Sequence, residues 1–302
     1  MTASCSAPAA VARAGASEKE REYAFDGDDF ERVRKLIYAH AGISLSAQKR
    51  DMVYSRVTRR LRATGCATFK SYLALLDRSG EDEWQAFTNA LTTNLTAFFR
   101  ENHHFPVLEA HLRQLAERRQ TTRVPITVWC SAASTGEEPY SLAMTAAEAF
   151  GTLTPPVRIL ATDIDTSVLE QADRGVYTRE RVEKLEKKRL DRFFLRGTGA
   201  NDGHVKIRPE LRALVSFRPL NLLHKDWALK NAFDAIFCRN VLIYFDKPTQ
   251  ATMLERFAPL LRDDGLLFVG HSESLHHVSH LFRLQGNTVY GHAPPGRARS
   301  AP

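Results

Sequence analysis

No stretch of the 302 residues approaches the run of about 18 apolar residues that a membrane-crossing helix needs. Met1 to Ala16 is rich in Ala and Ser but lacks a basic start followed by an apolar block, so no signal peptide is expected. That segment is read as part of a disordered tail, 1–22, with a second tail at 294–302. Cysteine is sparse. Cys5, Cys66, Cys130 and Cys238 are widely scattered and form no C-x-x-C pair. This argues against a disulfide framework or a zinc cluster and for reduced thiols in a cytoplasmic protein.

What remains is an ordinary soluble composition, 43% hydrophobic and 25% charged. The chain is long enough for one large domain or for a large and a small one. Its net charge of +7 is unevenly placed. Asp28 to Arg78 holds 11 Lys/Arg against 5 Asp/Glu, a local balance of +6. An acidic partner is therefore expected for this quarter of the chain.

Phe30, Val33, Leu36 and Ile37 form a helical stripe that Gly42 ends. A second helix runs from a cap at Ser46 to about Ala63, before Gly65, and a third spans Thr68 to Leu76. These make a small all-α domain, 23–80. Glu81 to Leu95 reads as a further helical stretch, in a linker, 81–100. From Pro125 the pattern changes. Short β-rich runs at Ile126–Trp129, Val157–Ala161, Phe233–Cys238 and Gly265–Gly270 alternate with helices at Pro139–Phe150, Ser167–Asp173 and Thr249–Leu261. This predicts an α/β, Rossmann-like doubly wound sheet over 101–293. A charged helix, Arg181 to Phe194, and β-like pieces at Val205–Ile207 and Leu214–Phe217 flank the Gly-rich turn Arg196–Gly203. They read as a small antiparallel β insert at about 179–217, whose edge can recruit a peptide as an extra strand.

Ligands of such sheets bind beyond the carboxyl ends of the strands. The first strand ends in Cys130-Ser-Ala-Ala-Ser-Thr-Gly136-Glu137-Glu138. Its small residues admit a bulky ligand. Its single glycine departs from the G-x-G-x-x-G phosphate cradle, and its two acids would repel a pyrophosphate. They suit a cationic ligand such as S-adenosylmethionine. Asp163, after the second strand, is placed to accept from ribose hydroxyls, although an Asp there is often only a helix cap. Arg239 and Asn240 follow the third strand, and Asn221 with Leu222 is placed to bracket an adenine.

Four blocks carry a resemblance. Leu91-Thr-Thr-Asn-Leu-Thr-Ala-Phe-Phe-Arg-Glu101, Trp129-Cys-Ser-Ala-Ala-Ser-Thr-Gly-Glu-Glu-Pro-Tyr-Ser141, Ala161-Thr-Asp-Ile-Asp165 and Ile236-Phe-Cys-Arg-Asn-Val-Leu-Ile-Tyr-Phe-Asp246 resemble the signature blocks of the CheR family of chemotaxis-receptor glutamate O-methyltransferases. The resemblance spans about Phe25 to Tyr290. It implies transfer of a methyl from S-adenosylmethionine to receptor glutamates, in the cytoplasm at membrane receptor arrays. By position it implies that Asn94, Thr96, Arg100, Glu137, Asp163, Asn221, Leu222, Arg239 and Asn240 hold the cofactor. It also implies that the insert binds a receptor C-terminal peptide through the Arg196-Gly197-Thr-Gly199 turn with Gly203, and through Lys206.

The acceptor carboxylate, with a free pKa near 4.3, is already ionised at neutral pH and needs no general base. Arg100 and Tyr244 are expected to line its entry, the bland alternative for Tyr244 being a core aromatic. On the second helix, Lys49, Arg56, Arg59, Arg60 and Arg62 fan out opposite Val53, Tyr54, Val57 and Leu61. That basic face is expected to dock on an acidic receptor bundle. A nucleic-acid methyltransferase is the competing enzyme reading. The helix lacks a stacking platform for bases, and Asn240-Val-Leu-Ile lacks the polar-Pro-Pro-aromatic loop of base-amine methylases, so nucleic acid is not the expected partner. A non-enzymatic scaffold is the third reading, disfavoured by the joint presence of Arg100, Glu137, Asp163 and Asn240. His271, His276, His277 and His280 lack a completing ligand set, apart from Glu273, and no metal is expected. Nothing demands more than a monomer.

Overall fold

The computed structural model describes residues 21–119, 124–229 and 232–294. The tails expected at 1–22 and 294–302 lie almost wholly outside the described residues. Among these, no helix is long and apolar enough to cross a membrane.

The chain opens with four helices, α1 (Gly27–Ala41), α2 (Arg50–Thr64), α3 (Phe69–Leu76) and α4 (Glu81–Leu91). Asp26 caps α1 in a reciprocal capping box with Asp29. Gly42 and Gly65 end α1 and α2 in the left-handed conformation, at φ 65° and 70°. Ser46 precedes a 3-10 turn, Ala47–Lys49, that leads into α2, and its side chain does not cap. Val33, Ile37, Val53, Val57, Phe69 and Leu73 bury their side chains in one bundle core. The helix expected within a linker is the fourth member of that bundle. Phe87 and Leu91, one turn apart, are 0% and 1% exposed, and Trp84 packs beside them. The irregular segment is 92–100.

The second unit begins with α5 (His104–Arg118), β1 (Ile126–Cys130), α6 (Glu137–Phe150), β2 (Val157–Asp163) and α7 (Thr166–Arg174). Then come β3 (Val176–Thr178), α8 (Arg179–Val182), α9 (Lys187–Phe193), β4 (Phe194–Arg196), β5 (His204–Ile207) and α10 (Pro209–Arg212). The chain closes with β6 (Val215–Pro219), β7 (Phe233–Cys238), α11 (Lys247–Phe257), β8 (Leu261–Val269), β9 (Phe282–Gly286) and β10 (Val289–His292). The seven-stranded sheet runs β6-β2-β1-β7-β8-β10-β9. Its first five strands are parallel, and β10 pairs antiparallel with β8 and β9. Helices cover both faces, so β7 is buried along its whole length. Strand order reverses at β1, between β2 and β7, which opens a crevice beyond their carboxyl ends.

Two expectations for the insert are corrected. Leu214–Phe217 does not belong to it: β6 pairs parallel with β2, Val215 opposite Ile159, as the edge of the main sheet. An isolated short apolar run reads alike in either place, and only the distant partner decides. The insert is the three-stranded sheet β3-β5-β4. The single charged helix expected at Arg181–Phe194 is two, α8 and α9, broken by a turn at 183–186 that brings Leu185 onto the core. Phe194 already lies in β4, opposite Ile207.

Candidate functional site

A cavity of about 470 Å³ lies between the helical bundle and the carboxyl ends of β1, β2 and β7. Its bundle side is Ala41, Ile43 to Ser46, Lys49 and Met52, and its sheet side includes Ser131, Ala132, Ser134, Glu138 and Asp163. The segment Thr92 to Thr96, Arg100, the stretch Leu220 to Leu222, and the turn after β7 complete it. Direct bonds join the two sides. The Ser44 N–H donates to the Tyr244 carbonyl at 2.9 Å, and the Asn221 amide donates to the His40 carbonyl at 2.9 Å. The Tyr38 hydroxyl donates to Asp246 at 2.5 Å.

Asp163 closes β2 with its carboxylate on the cavity. It accepts from the backbone N–H of Ser134 at 2.8 Å and of Asp165 at 3.0 Å, one on each oxygen. Each oxygen keeps a lone pair for a ligand hydroxyl. Burial pushes its pKa up to about 6, against these bonds. The helix-cap role falls instead to Asp165, which accepts from the N–H groups of Ser167 and Val168 at the start of α7. Asp165 also accepts from the Asn94 amide and the Thr92 hydroxyl, both at 2.8 Å, which ties the linking segment to the sheet.

The structure separates the acidic pair. Glu137 is fully buried and does not line the cavity. It accepts from Arg181 of α8 and from the Thr135 hydroxyl, and so holds the insert to the sheet. Glu138 lines the cavity, accepting from Arg239 at 2.6 Å and from the Cys130 thiol at 3.2 Å. The reason is rotational. Gly136, at φ 96°, starts α6, and successive residues of a helix point about 100° apart. A Cβ on Gly136 would approach the Tyr177 hydroxyl to 2.7 Å, so the turn has no room for a side chain. Of this pair, Glu138 is thus the one that lines the cavity, and the expectation that Glu137 does so is corrected.

Arg239 is buried between Glu138 and Glu101, and also donates to the Arg100 carbonyl. Its Nε has no hydrogen-bond partner among the described residues. Asn240 follows at φ 57°, its amide donating to Glu101 at 3.0 Å. Arg100 reaches back to the Leu95 carbonyl at 2.7 Å. Asn94, Thr96, Arg100, Asp163, Asn221, Leu222, Arg239, Asn240 and Tyr244 therefore all meet on one cavity, and Glu137 alone of the expected set does not. Tyr244 sits on a 3-10 turn, Leu242–Tyr244, at the cavity wall rather than in the core. Sequence reasoning missed the bundle's share of the wall and the parts played by Glu101 and Glu273; it had Glu138 only as one of an acidic pair.

The basic helix divides likewise. Arg60 makes a two-pronged pair with Glu83, at 2.6 and 3.1 Å, and Arg62 pairs with Glu22. Arg56 donates to the Thr92 carbonyl just beyond α4. Arg59 and Lys49 stay exposed, Lys49 beside the cavity. In the insert, β4 and β3 are the edges, with Leu195 and Val176 exposed. A Cβ on Gly197 would fall 2.0 Å from the Asn201 carbonyl oxygen, and Gly199 and Gly203 have φ 57° and 83°, so this turn requires its glycines. Among the described residues, Glu101, His103 and His104 hold metal-capable atoms within 4.8 Å of one another. Glu101 is already engaged there by His271, Asn240 and Arg239.

The cavity fits S-adenosylmethionine chemically. It offers a carboxylate for hydroxyls, a second carboxylate for a cationic centre, small residues beneath, and Leu220 and Leu222 for a flat ring. Its volume is in the range of small-molecule sites.

Comparison with known proteins agrees. Residues 28–92 match the family description "CheR methyltransferase, all-alpha domain" and residues 94–290 match "CheR methyltransferase, SAM binding domain". The chain is 53% identical over 273 residues to chemotaxis protein methyltransferase 2 of Pseudomonas aeruginosa, covering 90% of this chain and 96% of that one. It is 54% identical over 263 residues to the chemotaxis protein methyltransferase of Klebsiella aerogenes, covering 87% and 88%. The corresponding Escherichia coli protein is 53% identical over 262 residues, covering 86% and 89%. The chain belongs to the CheR family and is an S-adenosylmethionine-dependent methyltransferase of chemotaxis.

Proposed function

We propose that the chain methylates side-chain carboxylates of glutamates in chemotaxis receptors, giving glutamyl methyl esters and S-adenosylhomocysteine for sensory adaptation. The observation that carries this reading is that Arg100 and Tyr244 share one cavity with Asp163 and Glu138. This supports the reading, which assigns cofactor-holding and acceptor-guiding groups to one cavity.

Bound there, S-adenosylmethionine would supply an electrophilic methyl for the acceptor oxygen, with S-adenosylhomocysteine as the leaving group. The chain's own work is positioning, which can supply roughly 7–11 kcal/mol of a barrier in well-aligned systems. Asp163 would accept from the ribose hydroxyls, and Glu138, held by Arg239, would offer negative charge to the sulfonium. Asn94, Thr96, Asn221, Leu222 and Asn240 shape the rest. Arg100 attracts the incoming carboxylate and Tyr244 donates a hydrogen bond to it. No residue removes a proton, because the acceptor arrives ionised.

The helical domain meets the receptor's cytoplasmic bundle through Lys49 and Arg59. Arg56, Arg60 and Arg62 support the helix that presents them. The insert turn with Arg196 and Lys206 takes a receptor C-terminal peptide along the β4 edge, and the enzyme works in the cytoplasm at receptor arrays. The test is incubation with labelled S-adenosylmethionine and receptor-bearing membranes. Label on the receptor that is released as methanol in mild base is the expected result. Base-stable label, or label in nucleic acid, would overturn the reading.

A further inference from the structure

Two carboxylates that the reading above leaves unused converge on Asn240. Glu101 follows the linking segment and Glu273 follows β8, and neither lines the cavity. Glu101 Oε1 accepts from the Asn240 amide at 3.0 Å and from His271 Nδ1 at 2.8 Å. Its Oε2 accepts from the His271 N–H at 3.0 Å and faces the Arg239 guanidinium at 3.3 Å. Glu273 Oε2 accepts from the N–H groups of Asn240 at 2.9 Å and Gly270 at 2.6 Å, and Oε1 accepts from the Ile243 N–H at 3.3 Å. A Cβ on Gly270 would lie 2.5 Å from the Asn240 amide nitrogen and 2.8 Å from Glu273, so the loop after β8 is packed against both. Asn240 is a non-glycine residue at φ 57°, a conformation that persists only where its surroundings impose it.

The two acids hold different things. Of the residues that line the cavity, Glu101 holds side chains, those of Arg239 and Asn240, in addition to its bonds from the ring and backbone of His271. Burial pushes its carboxyl up, but hydrogen bonds from His271 and Asn240 and the Arg239 charge outweigh this and bring it down to about 2. Glu273 holds backbone, that of Asn240 and Ile243, and so fixes the turn that presents Tyr244. The geometry points to a division of labour between two positioning residues, Glu101 setting the cofactor side of the cavity and Glu273 the acceptor side. This rests on the methyl-transfer reading, since it takes Tyr244 as the wall of the acceptor's place.

Amide substitution cuts each clamp selectively. In Glu273→Gln the single remaining acceptor oxygen keeps Asn240 and Gly270, while the new amide N–H meets the Ile243 N–H, donor against donor. In Glu101→Gln one of the two charges opposite Arg239 is lost, Glu138 remaining, and one oxygen must serve four donors. The experiment uses the full chain, with calorimetric binding of S-adenosylhomocysteine and initial rates of receptor-membrane methylation at saturating cofactor. Glu273→Gln is expected to lower kcat about tenfold or more with Kd changed less than threefold. Glu101→Gln is expected to raise Kd about tenfold with saturated kcat changed less than threefold. If Glu273→Gln does not fold, Glu273→Asp carries the same expectation, and failure of both to fold makes Glu273 purely structural and overturns the proposal. Variants that shift Kd and kcat together by one factor, or that shift neither, also overturn it. A parent protein that binds S-adenosylhomocysteine but forms no base-labile ester defeats the methyl-transfer reading itself. An active parent with unaffected variants defeats only the clamp.

Discussion

Glu138 accepts a hydrogen bond from the buried guanidinium of Arg239 at 2.6 Å, joining the start of α6 to the end of β7 across the cavity floor. Its neighbour Glu137 faces the opposite way, onto Arg181. The two acids should therefore fail differently. Glu138→Ala is expected to raise the Kd for S-adenosylhomocysteine at least tenfold in calorimetry. Glu137→Ala should lower stability by about 1–3 kcal/mol in denaturant melts, with a much smaller effect on Kd. The reverse pattern would put the wrong acid in the cavity.

Asp163 gives the site a pH signature. Its folded pKa of about 6 lies above its ordinary 3.8, so between these values the folded state binds more protons than the unfolded one. Stability from this group therefore falls as pH rises from about 4 to 6 and is level above that. Affinity has the opposite slope, because the ionised form is the better acceptor for hydroxyls. Kd for S-adenosylhomocysteine should rise as pH drops through 6, and Asp163→Asn should bind weakly without that inflection. A parent binding curve flat from pH 5 to 8 would refute the ribose role.

Tyr244→Phe is expected to lower kcat about tenfold while leaving the Kd for S-adenosylhomocysteine within threefold. Arg100→Ala should lower kcat/KM for receptor by more, since it also lines the cofactor cavity. Single-turnover methylation with saturating cofactor separates the two effects. Full rates in both variants would return Tyr244 to the role of a wall aromatic.

On α2, reversing Arg59 and reversing Arg60 should not be equivalent. Arg59→Glu should slow receptor association, most at low salt, and leave thermal stability unchanged. Arg60→Glu places an acid against Glu83, itself bonded to the Tyr72 hydroxyl at 2.7 Å, and should destabilise the bundle by about 1–3 kcal/mol. Stopped-flow association over a salt series, with a melting curve for each variant, distinguishes them.

In the insert, Gly197→Ala should disrupt the β4–β5 turn and abolish binding of a peptide matching the receptor's last residues. Methylation of a receptor lacking those residues should be unchanged. Retained peptide affinity in calorimetry would place the peptide elsewhere.

Much of this molecule could be read from its residues. Gly42 and Gly65 mark the ends of α1 and α2 because a left-handed residue there suits glycine, a local requirement. The buried runs of β1, β2 and β7 announce a covered parallel sheet, and Asp163 announces its ligand side. Three features were hidden. The pairing of Val215–Pro219 with β2 is a long-range choice that its own residues do not encode. Glu137 and Glu138 are adjacent, and the one that faces the cavity depends on the turn at Gly136, which sets the phase of α6. The role of Glu273 exists only in the fold, because two of its three backbone donors, Asn240 and Ile243, lie on the distant turn after β7. The sequence signal for Glu101 is its place beside Arg100 in the block ending Phe-Phe-Arg-Glu.

The bond from the Ser44 N–H to the Tyr244 carbonyl bears on how such enzymes can be rebuilt. Residues of the stretch 41–52 belong to the helical bundle and are at once part of the cavity wall. A chimaera that exchanges only the bundle to redirect specificity would import a foreign wall, and one cut after residue 92 would leave the chamber open on one side. Retargeting this enzyme by grafting thus calls for transplanting exposed positions of α2 alone, with the cavity-lining residues Ile43 to Ser46, Lys49 and Met52 left native.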